Sequence, residues 1–199
     1  MTIEPAHTPR WPLALARKIA ESIRGELAPF AEKIEIAGSI RRARPEVGDI
    51  DLVILPREGE DTALRQRATA AVRAGNARVL TQGAENMTLV LANGIQVDLF
   101  FARRAQNDLA GYVPGNFGMR LLAMTGSKEH NIHLAKEAEK QGYHFHPYRG
   151  LMRGGRYVYR DEGRRYEGGE VFRGEDELEI LRTLGLGWID PEAREVLAS

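Results

Sequence analysis

Apolar residues recur at four-residue spacing at Leu15, Ile19, Ile23 and Leu27, with Arg17, Lys18, Glu21 and Arg24 between them. That period predicts an amphipathic helix over Leu13–Leu27. Residues 33–37 read as a short strand, and Gly38-Ser39 as a turn into one helical turn. Residues 49–55 read as a strand apolar on both faces, hence central in its sheet. A helix is expected over 62–74, stopped by Gly75-Asn76. Strands are expected over 77–81, 87–92 and 95–102, the last two joined by Asn93-Gly94, a strong short-range hairpin signal. The character changes beyond Arg104: helical stretches near 116–124 and 128–141, a Gly-rich β-hairpin region over 143–159, and a closing helix over 175–184. No internal repeat is present. The pattern predicts an α+β chain with a boundary near Arg104, dividing residues 1–104, a mixed sheet with flanking helices, from residues 105–199, a smaller α+β subdomain.

At 199 residues and 43% hydrophobic, the chain is long enough for one domain or two small subdomains with a real core. It contains no cysteine, which excludes disulfide staples, thiol nucleophiles and zinc sites built on thiolates. A metal must therefore sit on Asp, Glu or His. No apolar run approaches the roughly 18 residues of a membrane span, and "MTIEPAHTPRW" lacks the regions of a signal peptide, so a cytoplasmic, membrane-free monomer is expected. The formal net charge is zero, which argues against coating nucleic acid through bulk charge. Arginines nevertheless gather between Arg149 and Arg173, and Arg149, Arg153, Arg156 and Arg160 are candidates for DNA phosphate contacts. A solvated hairpin of mixed charge is the competing reading.

Asp49 and Asp51 open the central strand on one face, with Ile50 between them pointing away. Carboxylates so placed repel unless a cation lies between them. Asp98 sits inside the aliphatic and aromatic strand "GIQVDLFFA", where a lone carboxylate is costly to bury. If that strand lies beside the first, the three converge into an all-oxygen site suited to Mg²⁺, and two such ions serve a phosphoryl transfer. Upstream, Gly38 permits close backbone approach to a phosphate, Ser39 donates at a helix start, and Arg41 or Arg42 pairs with phosphate oxygens.

The stretch "GSIRRARPEVGDIDLVI" resembles the nucleotidyltransferase signature of the family X DNA polymerases, and "GNFGMRLLAMTGSKEHNIHL" resembles that family's helix, Thr-Gly-Ser turn and helix. "EDELEILRTLGLGWIDPEARE" is similar to the family's closing segment. The resemblance implies a nucleotidyltransferase palm over 1–104 and a thumb-like, nucleotide-binding subdomain over 105–199, in a minimal form without lyase or fingers domains. It implies that Asp49, Asp51 and Asp98 hold two Mg²⁺, with Mn²⁺ able to substitute, and that Asp98 lies near a primer 3′-hydroxyl. It further implies Gly38, Ser39, Arg42 and Gly48 at the phosphates of a nucleoside triphosphate, and Gly126, Ser127, Lys128 and Asn131 around its sugar and base. Where many members carry two aromatics at the sugar, this chain has Ala123 and Met124, which implies weakened rejection of ribose.

The function implied is template-directed, gap-filling DNA synthesis in repair, acting on primer-template or gapped DNA. Two other readings stay open: a template-independent nucleotidyltransferase acting on an RNA end, a small molecule or a protein, and a non-catalytic DNA-binding module. His130 with His133, and His144 with His146, are read as solvated or nucleic-acid-facing, because no carboxylate spacing supports a second metal site. Trp11 and Trp188 are read as packing anchors.

Overall fold

The chain is described here in a computed structural model, over residues 9–73, 76–108, 111–160 and 163–195. Its first part runs β1 (Trp11–Pro12), α1 (Leu13–Leu27), β2 (Ala31–Ile36), α2 (Gly38–Arg41), β3 (Glu46–Val47), β4 (Asp49–Pro56), α3 (Asp61–Arg73), β5 (Ala77–Gln82), β6 (Asn86–Leu91) and β7 (Gln96–Phe101). Next come β8 (Gln106–Asp108), β9 (Gly111–Val113), α4 (Phe117–Thr125), α5 (Lys128–Lys140), β10 (His144–His146), β11 (Gly150–Arg160), β12 (Gly163–Arg173), α6 (Glu177–Thr183) and a 3-10 helix over Pro191–Glu195.

Five strands form a mixed sheet in the order β2-β4-β7-β6-β5. Only β4 and β7 are parallel; the other neighbours are antiparallel. The central position of β4 follows from its composition, since Ile50, Leu52, Val53, Ile54 and Leu55 are all buried. Its even-numbered residues Ile50, Leu52 and Ile54 join Ala16, Ala20, Leu27 and Leu64 in the main core beneath α1 and α3. The odd-numbered residues face the other way. There Val53 and Leu55 pack with Phe117 and Leu121 of α4, so α4 covers the far end of this face and leaves the Asp49 and Asp51 end to the site.

Helix α4 also supplies Met119, Leu122 and Ala123 to a second core with Leu134, Phe145, Leu151, Ile180 and Leu181. Apolar on two sides, it bridges the sheet and the C-terminal elements and fixes the turn after it relative to β4. Its arginine, Arg120, is fully buried and lies 4.3 Å over the Tyr148 ring.

Several expectations need correction. The hairpin region is an antiparallel sheet, β10-β11-β12, that runs on to Arg173. Strand β12, "GRRYEGGEVFR", carries charge and glycine on both faces and no apolar alternation, so pairing with β11 rather than burial defines it. The β6–β7 loop is Ala92-Asn93-Gly94, one residue longer than Asn93-Gly94: Leu91 N–H donates to the Ile95 carbonyl and Gly94 takes φ +89°. The closing helix starts at Glu177, because the Asp176 carboxylate caps it by accepting from the Glu179 N–H at 2.9 Å. Helix α3 has the expected span to within a residue, and the stop expected at Gly75 lies outside the described residues. Two short pairs, β1 with β3 and β8 with β9, were too brief to leave a periodic signal. The first of them matters, since pairing Trp11 with Val47 lays Arg10 alongside Gly48.

Candidate active site

In the β4–β7 pairing Asp51 stands beside Asp98 and Asp49 beside Gln96. The three carboxylates offer oxygens that all lie within 4.8 Å of one another. Such an all-oxygen set on rigid strands fits a hard divalent cation that keeps open positions for water or phosphate. Burial holds the Asp51 carboxyl well above the usual carboxylate range, and repulsion from Asp49 and Asp98 adds to this, against a smaller opposing pull from Arg42. Asp49 is raised by burial and by Asp98, with Arg10 and Arg42 pulling it down. Both carboxyls are thus harder to ionise in the folded chain than in water.

Asp98 is held at both oxygens. Thr88 Oγ1 donates to its Oδ1 at 2.6 Å, and Gln96 Nε2 donates to its Oδ2 at 2.8 Å. Neither residue was expected from sequence, because each depends on hairpin register: Thr88 stands opposite Asp98 only with the longer loop.

The turn over Gly38–Arg41 abuts the triad. Gly38 has φ +56°, and a Cβ there would fall 1.8 Å from Asp51 Oδ2, so only glycine fits. Ala37 N–H bonds the Asp51 carbonyl at 2.9 Å and ties the turn to β4. Ser39 Oγ is buried and has no hydrogen-bond partner among the described residues. Gly48 lies against Arg10, whose guanidinium is 3.6 Å from where a Cβ would be.

The two arginines of the turn differ. Arg41 is absorbed into the structure, with Nη1 and Nη2 on the two carboxylate oxygens of Glu177 at 2.9 and 2.6 Å and Nη1 also on Thr125 Oγ1 at 2.8 Å. Arg42 donates from Nε to Glu195 and from Nη1 to the Thr125 carbonyl. It also lines a cavity of about 540 Å³ with Ala123, Met124, Gly126, Ser127, Lys128 and Asn131. Arg42 of the first motif thereby meets Gly126, Ser127, Lys128 and Asn131 of the second, whereas Gly38 and Ser39 do not line this cavity and Gly48 lines another with Arg10 and Asp49. Gly126, at φ +67°, lies under Arg42, with Nη1 3.2 Å from a Cβ position. Ser127 caps α5 by accepting from His130 N–H, and its hydroxyl donates to the Arg194 carbonyl at 2.9 Å. Lys128 is exposed. Asn131 Nδ2 donates to the Ala123 carbonyl at 2.7 Å, while its Oδ1 is buried without a partner among the described residues.

The expected DNA-contact arginines do not form one uniform surface. Arg153 is paired with Glu170 at 2.9 Å and lies over the Phe172 ring. Arg149 and Arg156 are exposed, and the side chain of Arg160 lies outside the described residues. The reading of His130 as solvated is wrong: it is fully buried on the α5 face shared with Leu134 and Ala138, and burial, then Arg194 and His133, lower its pKa to about 4. His144 is half-buried and stacked on Tyr166 at 4.4 Å. Trp11 packs against the main core, whereas Trp188 is 46% exposed beneath Arg194.

A family model described as DNA polymerase beta thumb matches residues 120–195. The chain is also 29% identical over 191 residues to the DNA polymerase/3'-5' exonuclease PolX of Bacillus subtilis (strain 168). That alignment covers 94% of this chain and 29% of the relative, so the chain spans less than a third of the relative's length. The thumb match lies on the C-terminal elements and the relative aligns across nearly all of the chain, so the chain is similar to a family X DNA polymerase along most of its length.

Proposed function

We propose that the chain is a DNA-directed DNA polymerase that transfers a nucleotidyl group from a nucleoside triphosphate to a primer 3′-hydroxyl, filling gaps during repair. The single observation that carries the reading is the convergence of Asp49, Asp51 and Asp98 within 4.8 Å beside the Gly38-Ser39 turn. Mg²⁺ or Mn²⁺ bound there supplies Lewis acidity at the attacking and leaving oxygens. In this reading Asp98, fixed by Thr88 and Gln96, stands beside the hydroxyl and accepts its proton. The 3′ oxygen bonds to the α-phosphorus, the bond from that phosphorus to the bridging oxygen breaks, and pyrophosphate leaves against Ser39 and Arg42. Gly126 allows the sugar to approach the backbone, and the base lies toward Lys128 and Asn131. The palm ends near Arg104 and the thumb-like part comes after it. Ala123 and Met124 at the cavity wall leave room for a 2′-hydroxyl, which supports weak sugar discrimination.

The acceptor strand finds support on the same open sheet face. The register aligns Asp49, Gln96, Val90 and Arg78 in a row that leads from the triad to the outer strand. Arg10, Trp11 and Arg78 line a cavity of about 430 Å³ over that row. Among the described residues the guanidiniums of Arg10 and Arg78 have no ion-pair or hydrogen-bond partner, so both are available to phosphodiesters.

The deciding assay is primer extension on gapped, open and unprimed templates, with dNTPs or rNTPs and Mg²⁺ or Mn²⁺. The wild type should extend primed DNA according to template, with readily detected ribonucleotide insertion, and Asp98→Ala should lose on the order of 10³-fold or more in rate. Extension by Asp98→Ala at the wild-type rate overturns the mechanism, and extension independent of template transfers the reading to a template-independent nucleotidyltransferase.

A further inference from the structure

Arg42 faces the phosphate cradle, yet two of its guanidinium nitrogens are already engaged. Nε is on Glu195 and Nη1 on the Thr125 carbonyl, and Arg44 reaches the other Glu195 oxygen at 3.9 Å. The side chains of Arg42 and Glu195 are only 16% and 25% exposed, so the pair is partly desolvated and holds firmly. Beside it, Ser39 Oγ is buried with nothing to donate to or accept from among the described residues. The cradle therefore has an idle hydroxyl and an arginine occupied by a carboxylate.

Glu195 does not reach Arg42 by chance of a loose end. The preceding residue, Arg194, is fully buried; its Nη1 lies 3.1 Å from Glu177 Oε1 and its Nε 3.1 Å from the Ile189 carbonyl. Its own carbonyl accepts from Ser127 at 2.9 Å, so the 3-10 helix is pinned to the turn that carries Gly126. Arg41 grips the same Glu177 from the other side. Arg194 is the anchor, and the neighbouring Glu195 is left directed at the cradle.

We propose that Glu195 is a built-in competitor for Arg42: its carboxylate takes the place of a phosphate oxygen when the cradle is empty, and its return helps expel pyrophosphate. This rests on the assignment of Arg42 to the phosphates made above. Competition for one guanidinium is reciprocal, so triphosphate binding releases Glu195 and Glu195 weakens triphosphate binding by the same factor. A ligand whose phosphate does not extend to Arg42 is unaffected.

Calorimetric titration with dATP, dAMP and pyrophosphate, in Ca²⁺ to hold the chemistry back, tests the idea on wild type, Glu195→Gln, Arg42→Gln and the double variant. Gln keeps the acceptor for Arg42 Nε and removes the charge, and thermal melts check that each variant folds. Glu195→Gln should tighten dATP and pyrophosphate about three- to tenfold and leave dAMP unchanged. In the Arg42→Gln background the same substitution should change nothing. Equal or weaker dATP and pyrophosphate binding by Glu195→Gln overturns the competition and leaves the polymerase reading intact. Pyrophosphate that tightens while dATP fails to bind the wild type removes the polymerase reading and leaves the competition standing.

Discussion

At position 38 a single hydrogen separates function from a clash, since any Cβ would meet Asp51 Oδ2 at 1.8 Å. Burial against that turn, with repulsion from Asp49 and Asp98, holds the Asp51 carboxyl well above its ordinary range. A carboxyl with a higher pKa folded than unfolded costs stability while it is charged, and that cost disappears as pH falls through the folded-state pKa. A divalent cation binds the charged form, so cation affinity falls over the same interval. Asp51→Asn should accordingly raise the melting temperature of the metal-free protein by about 2–4 °C, the shift that roughly 1 kcal/mol gives in a chain of this size. The rise in melting temperature that Mg²⁺ gives the wild type should shrink in this variant; a lower melting temperature for metal-free Asp51→Asn would refute the account. The carboxylates were legible in the sequence because two acids one residue apart at the head of an apolar strand repel at close range unless a cation joins them. Thr88 and Gln96 were not: with a two-residue loop Leu89 would stand opposite Asp98, and one residue of register decides which side chain meets it.

Among the elements, α5 separates what periodicity reveals from what it conceals. The helix itself was legible, but its buried face at 130, 134 and 138 was not, because the histidine at its head reads as polar until tertiary contacts bury it. Burial beside Arg194 keeps His130 neutral, with a pKa of about 4 against 6.5 for the free side chain. Here the folded-state pKa is lowered. As pH falls below about 6.5 the unfolded chain takes up a proton that the folded chain refuses, and stability is lost until pH reaches about 4. The full loss is about 3 kcal/mol, at roughly 1.4 kcal/mol per unit. Urea unfolding at pH 7 and at pH 4.5 should show the wild type losing most of that amount relative to His130→Leu. A constant difference between the two proteins at both pH values would mean that His130 titrates freely. Strand β12 illustrates the opposite limit, since nothing in "GRRYEGGEVFR" marks a strand until β11 offers its edge.

Across the whole molecule, the boundary read near Arg104 meets a complication in α4, which belongs to two cores at once. The sequence alone separates a sheet-rich part from a part of helices and a hairpin, but only packing joins the Thr125-Gly126-Ser127 turn to the triad's face of the sheet. The same limit applies to the proposed DNA grip. With zero net charge, DNA binding would have to come from local patches. The arginines conspicuous in sequence are partly neutralised, as Arg153 is by Glu170 and Arg164 by Glu139. Arg78, solitary in the sequence, ends the row that starts at Asp49 and has no partner among the described residues. If the primer strand crosses the sheet along that row, Arg78 releases about one counterion on binding. Fluorescence anisotropy of labelled gapped DNA over a KCl series should then give a steep fall of affinity with salt. Arg78→Ala should weaken binding several-fold at low salt and reduce the log–log slope by about one. Arg153→Ala should change both less, because Glu170 already takes much of its charge. A slope that Arg78→Ala leaves untouched and Arg153→Ala reduces would move the strand off the sheet face and onto the β11–β12 hairpin.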